Sequence, residues 1–217
     1  MFIGHFGLGF GLKRSAPAVS LGTLFLAVQF VDLLWPALLL AGVEHVEIAP
    51  GITAVTPLNF VHYPISHSLL MTAVWGLLFA SVYWAIKRSP IGAVVCGGAV
   101  ISHWLLDWLM HRPDLPLYPG ASPVYGLGLW NSLPVTLLLE FAVFAAGLAV
   151  YLRATQAVDR KGSVGLWALV ALLVAIHLGN LFGPPPPSVQ AIAWAGQAQW
   201  LIVAAGYWVD RHRSTIR

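Results

Sequence analysis

His103, Asp107 and His111 stand four residues apart in the stretch Ser102-His103-Trp104-Leu105-Leu106-Asp107-Trp108-Leu109-Met110-His111. In an α-helix that spacing stacks the three side chains on one face. An imidazole and a carboxylate one turn apart can take the same metal ion as nitrogen and oxygen ligands. They can equally hydrogen-bond to each other and staple two helices together. The run around them is apolar enough to lie in a bilayer. Ionisable groups in such a helix are costly and face a bundle interior, a cavity or a partner.

A second block, His62-Tyr63-Pro64-Ile65-Ser66-His67-Ser68, sets two histidines around a Pro-containing turn at a helix start. His67 falls where a first helical turn offers free amide donors, a setting that suits an anion. The plainer alternative is that Ser66 caps the helix and the histidines are interfacial. Asp32, in Phe30-Val31-Asp32-Leu33-Leu34-Trp35-Pro36, has no charged sequence neighbour. A carboxylate placed there must be protonated, paired or metal-bound. Glu140 and His177 are the other ionisable groups inside long apolar segments, open to a reactive or a purely hydrogen-bonding role. His45 with Glu44 and Glu47 reads as a solvated loop face, and Asp114, after Arg112-Pro113, as a turn carboxylate. The N-terminal glycines Gly4, Gly7, Gly9 and Gly11 follow no strand, so they make no phosphate-binding loop.

The elements that must carry these groups are membrane helices. The chain of 217 residues is 59% hydrophobic and only 9% charged, where soluble domains average about 25% charged. Its mean hydropathy is +0.80. The expected fold is all-α, a polytopic bundle of six transmembrane helices plus a short N-terminal half-helix. The expected spans are Ser20 to Ala41, His67 to Ile86, Ile91 to Met110, Pro134 to Leu152, Val164 to Phe182 and Val189 to Val209. Each is near the ~20 residues a spanning helix needs. Met1 to Leu12 reaches only about 18 Å as a helix, so it lies in the interface or enters the bundle partway. Pro184 to Pro187 forms a rigid connector that ends the fifth span. Cys96 is the only cysteine, so no intramolecular disulfide forms.

Six spans put Lys13, Arg14, Lys87, Arg88, Arg153, Arg160, Lys161, Arg211, Arg213 and Arg217 on one side and only Arg112 on the other. The excess of positive charge marks the first side, with both termini, as cytoplasmic. It signals topology and not nucleic-acid binding. The long loops Gly42 to Ser66 and His111 to Leu133 then face outward, and a bacterial inner membrane is the expected location. His67, His103, Asp107, His111, Glu140 and His177 fall in the outer half. Asp32 lies roughly 17 Å from the cytoplasmic end of its span, and a half-helix rising from Lys13 carries His5 to a depth of roughly 12 Å.

With these residues the chain resembles the YdjM-like family of membrane-bound metal-dependent hydrolases. Gly4-His5 matches the family's N-terminal Gly-His. Asp32 with Pro36 matches an Asp segment ending near Pro. His62 through His67-Ser68-Leu69-Leu70 matches a His-x-x-x-x-His-Ser-Leu-Leu block, and Ser102-His103 with Asp107 matches Ser-His-x-x-x-Asp. The likeness covers residues 1 to 110. The Asp segment departs from the pattern: Leu34 and Trp35 stand where the family often has a second acid and a His, which counts against a two- or three-metal site. The His-x-x-x-Asp spacing is also similar to one found in zinc-dependent phospholipase C enzymes.

The resulting expectation is a hydrolase using zinc or another divalent metal, acting on a lipid-like or amphiphilic ester or phosphoester. His5, Asp32, His67, His103 and Asp107 are the expected ligands, since a mixed nitrogen and oxygen set suits zinc. Asp107 or Glu140 is the expected general base. His62, Ser68, His111 and His177 are expected around the ligands or against substrate. Membrane lipids are the expected partners. The alternatives are a proton, ion or small-solute transporter using the same cluster as a relay, a non-catalytic scaffold, and, as a minor option, haem binding through two histidines.

Overall fold

The computed structural model describes residues 1–216; Arg217, one of the basic residues assigned above to the cytoplasmic side, lies outside them. Ten α-helices follow in order among the described residues: α1 (Ile3–Ser15), α2 (Leu21–Val28), α3 (Phe30–Leu40), α4 (Pro64–His67), α5 (Leu69–Lys87), α6 (Pro90–Met110), α7 (Leu133–Ala154), α8 (Arg160–Phe182), α9 (Val189–Gln197) and α10 (Gln199–Arg211). Their starts carry ordinary stop-and-start chemistry. Ser20, Ser68, Ser89, Asp159 and Ser188 each accept a hydrogen bond from an amide three residues on, satisfying a donor that the first turn leaves free.

Four helices, α5 to α8, are long and apolar enough to cross a membrane, and α2 with α3 makes a fifth if that bent pair is one span. The expected first span is therefore broken, with a bend of 56° between α2 and α3. The expected sixth span is two shorter helices, α9 and α10, separated at Ala198; Gln190, Gln197 and Gln199 interrupt its apolar run. The apolar outer surface is what a bilayer requires. Leu77, Ile86, Ile91, Val94, Leu138 and Leu201 are all exposed, while His5, His67, His103, Asp107 and Glu140 are buried. α5 has only 11% of its apolar window buried within the protein, so the rest of that surface needs an apolar surrounding.

Two polar ends frame the bundle. At one, β5 (Thr155–Ala157) pairs antiparallel with β6 (Arg213–Thr215), tying the end of α7 to the end of α10. Lys13, at the end of α1, reaches the same end: its Nζ donates to Val19 O at 2.9 Å and lies 2.8 Å from Asp210 Oδ1. At the other end lie the hairpin of β1 (His45–Ile48) and β2 (Leu58–His62) and the short pair β3 (Leu115–Pro116) and β4 (Val124–Tyr125).

α1 enters the bundle from the basic end and is not interfacial. Ile3, His5, Phe6 and Phe10 are fully buried. It crosses α7 at Gly7 and Gly147, so closely that a methyl group on either would run into the other helix's backbone. Small residues permit this backbone approach in the absence of a solvent-driven hydrophobic effect. Phe10 then packs edge-on against Phe25, Phe144 and Tyr151 at ring-centroid distances of 5.0, 5.9 and 5.1 Å. Gly147→Leu is expected to push α1 off α7 and to cost about 1–3 kcal/mol, as overpacking does. A lowered thermal midpoint of the detergent-purified protein, against an unchanged midpoint for Gly98→Ala, where a Cβ meets nothing within 4 Å, checks this.

Candidate metal centre

Asp107 is the hub of the buried polar groups. Its Oδ1 lies 2.6 Å from the amino group of Met1 and 3.0 Å from His5 Nε2. Its Oδ2 lies 3.1 Å from His103 Nε2 and 3.9 Å from both His67 Nε2 and His111 Nε2. Asp32 Oδ1 closes the group, 3.3 Å from His67 Nε2 and 3.6 Å from His103 Nε2. The α6 spacing delivers His103, Asp107 and His111; the rest arrive from α1, α3 and α4.

The far nitrogen of three of these imidazoles is occupied. His103 Nδ1 donates to the carbonyl oxygen of Val28 at 2.7 Å. That carbonyl is free because the helix breaks at the next residue, Gln29, leaving irregular backbone that lines the site. Ser66 Oγ donates to Glu44 Oε2 at 2.6 Å and accepts from His67 Nδ1 at 2.7 Å. His111 Nδ1 donates to Asp114 Oδ1 at 2.9 Å. Tyr63 donates to the same oxygen at 3.0 Å, and Arg112 Nε reaches Asp114 Oδ2 at 3.0 Å. Burial holds the His111 imidazole below its ordinary value, so it stays neutral. Burial, with Asp114 beside it, pushes the Tyr63 phenol well above its ordinary value, so it remains a donor.

With Nδ1 protonated, the neutral imidazole carries its lone pair on Nε2. Three such lone pairs then face the oxygens of Asp32 and Asp107. Lone pair against carboxylate is repulsive; the Met1 ammonium meets Asp107 Oδ1 alone, so Asp32 and Asp107 Oδ2 call for a further cation, a second proton on an imidazole or a metal ion. Two ligand atoms held tetrahedrally at a zinc ion's ~2.0–2.1 Å stand about 3.3 Å apart. The separations of 3.1, 3.3 and 3.6 Å for His103–Asp107, His67–Asp32 and His103–Asp32 bracket that value, while His67–Asp107 is wider at 3.9 Å. His103 Nε2 and His5 Nδ1 are buried without a hydrogen-bond partner. Two overlapping groups can each hold an ion, His5 with His103 and Asp107, and Asp32 with His67 and His103. The His5 and His103 rings stack at 3.7 Å. Each histidine whose other N–H goes to a carboxylate, carbonyl or hydroxyl is oriented as metal-ligating histidines are.

The five expected ligands fall in these two overlapping groups; His111 belongs to neither, its Nε2 lying 3.9 Å from Asp107 Oδ2. The other expected site residues also fall outside them. His62 is exposed on β2 opposite His45, with the rings 6.2 Å apart. Ser68 caps α5 through its bond with Met71 N. Glu140 belongs to neither ligand group; its Oε2 accepts from Phe2 N and Gly4 N at 2.9 and 3.1 Å and holds the start of α1. His177 is buried, stacked on Phe2 at 6.2 Å and edge-on to Phe141 at 5.5 Å. The helix start at His67 does meet an anion, but the protein's own: Glu44 Oε1 accepts from Ile65 N and Ser66 N at 2.8 Å. Glu44 is buried and not a solvated loop residue, and Asp114 holds His111 instead of closing a simple turn. Their neighbours in sequence, Ser66 beside His67 and Asp114 three after His111, were the available signal.

The only side chain of the cluster with substantial access is Asp32, at 22% exposure, against 4% or less for the others. Toward the hairpin end, Phe60 and Trp130 stack at 6.1 Å, and Trp130 lies 4.2 Å from His111. No family model, curated protein or solved structure matches this chain.

Because Ser66 orients the ligand His67 without binding an ion, Ser66→Ala is expected to weaken zinc affinity by about 10–100-fold. His62→Ala is expected to leave it unchanged. Competition titration against a chromophoric chelator measures both.

Proposed function

We propose that this protein is a membrane-embedded, metal-dependent hydrolase of an amphiphilic ester or phosphoester, with zinc as the first choice of ion. The observation that carries the reading is the convergence of the His67, His103 and His111 Nε2 atoms on Asp32 and Asp107. The resemblance to the YdjM-like hydrolases draws on His67, His103, Asp32 and Asp107 as well, and we propose that the chain belongs to that family. We further propose that α2–α3 and α9–α10 each complete a span, giving six with α5 to α8. The basic end is then cytoplasmic with both termini, in a bacterial inner membrane, by the charge bias of the loops.

His67, His103 and Asp107 would hold the ion, with His5 and His111 flanking it and Asp32 on its accessible side. When bound, such an ion supplies Lewis acidity and an activated water at neutral pH. The residues do the rest. Asp107 has both oxygens engaged and Glu140 is committed to α1, so the general-base role passes to Asp32, the carboxylate with access. Asp32 would take the proton of the attacking water. Phe60 and Trp130 supply an apolar wall for the hydrophobic part of a substrate, and His111 faces it. Transport is the weaker reading, since the buried apolar side chains of Phe6, Leu24, Phe25 and Val28 pack beside the cluster, with Gln29 the buried polar side chain next to them.

Zinc-loaded protein in mixed micelles is expected to cleave members of an ester and phosphoester panel, to lose activity to a chelator and to regain it with zinc. Asp32→Asn is expected to keep zinc and lower kcat by at least about 100-fold. Full turnover in Asp32→Asn would remove Asp32 as the base, and a metal-bound protein inert across the panel would count against hydrolysis.

A further inference from the structure

A groove of about 690 Å³ runs between α8 and α10 at the basic end, on the opposite side of α10 from Asp210's bond to Lys13. Gly165, Ala168 and Ala205 line it with small side chains, and Leu172, Trp208 and Val209 wall it. Trp208 lies flat enough on Gly165 that a methyl there would overlap its ring. The lining is almost wholly apolar except at one end, where Arg160 and Lys161 stand at its mouth. Its volume falls within the ~300–1,000 Å³ of ordinary small-molecule sites.

Charge and length say what fits. The nearby acids are engaged elsewhere: Asp159 accepts from Gly162 N and His212 Nδ1, each at 2.8 Å, and Asp210 is held by Lys13. Among the described residues neither Arg160 nor Lys161 forms an ion pair, so both cations are free for an anion. From Arg160 to Leu172 the helix rises about 18 Å, close to the ~15 Å hydrocarbon depth of one leaflet. Two unpaired cations at the interface, over an apolar groove one leaflet deep, match a phosphate headgroup with an acyl chain beneath it.

We propose that this groove binds one anionic phospholipid of the leaflet at the basic end, with its phosphate on Arg160 and Lys161 and an acyl chain between α8 and α10. The site is independent of the metal centre and needs only that the bundle lie in a bilayer.

The test is native mass spectrometry of the full-length, detergent-purified protein titrated with phosphatidylglycerol or phosphatidylcholine of matched chains. The expected result is one retained phosphatidylglycerol, preferred at least several-fold over phosphatidylcholine and not displaced by millimolar inorganic phosphate. Arg160→Gln/Lys161→Gln is expected to remove the preference. Lys87→Gln/Arg88→Gln, which removes two cations elsewhere at the same end, is expected to keep it. Ala168→Phe is expected to fill the groove and release both lipids. The thermal midpoint, read on every variant, separates a lost site from a lost fold. Equal retention of the two lipids by the wild type, or a preference that survives in Arg160→Gln/Lys161→Gln, would overturn the proposal. So would a wild-type dimer that Ala168→Phe dissociates, since a second copy would then occupy the groove.

Discussion

Asp32 and Asp107 are two carboxylates inside an apolar bundle, and neither can stay ionised there without positive partners. Much of the polar architecture answers that requirement. Asp107 alone draws the Met1 amino group, His5, His103, His67 and His111 toward it from three helices and a helix end. The orientation of the histidines then sharpens the demand. Fixing Nδ1 of His67, His103 and His111 on outward acceptors leaves Nε2 pointing inward, so the groups that surround the acids bring lone pairs unless a cation is present.

Two departures from regular helix make this geometry possible. The break at Gln29 frees the Val28 carbonyl to hold His103 and starts α3 just before Asp32, where the helix N-terminus favours a carboxylate. α1 begins inside the bundle, which leaves the amide donors of its first turn buried there. Glu140 accepts two of them. The close glycine crossing with α7 and the buried Lys13–Asp210 pair hold that short helix at its other contacts. Irregular backbone at membrane depth is tolerated only where protein satisfies it, and here side chains do so.

Much of this was legible in the sequence where the signal is local. The four-residue spacing of His103 and Asp107 needs only a helix to bring them together, and a carboxylate at Asp32 with no sequence partner had to find one in space. The long apolar segments of α5 to α8 were equally plain. The bend at Gln29 was not, because the break carries a single glutamine and no glycine or proline. The split at Ala198 was foreshadowed only by three glutamines. Glu44 looked solvated because it sits in a charged loop, yet it folds back 22 residues in sequence onto Ser66. Glu140 and His177 looked like candidates because any buried ionisable group does; whether such a group binds an ion or caps a helix is decided by neighbours from other helices, which spacing cannot report.

The most direct measurement is the metal content of detergent-purified protein by elemental mass spectrometry, with His103→Ala prepared alongside. His103 belongs to both groups that can hold an ion, so its removal should disable either. Near-stoichiometric zinc or another divalent metal in the wild type, falling to background in His103→Ala, is the predicted result. Absence of metal from both proteins after zinc is supplied would contradict the account and leave protonated histidines as the cations that Asp32 and Asp107 require.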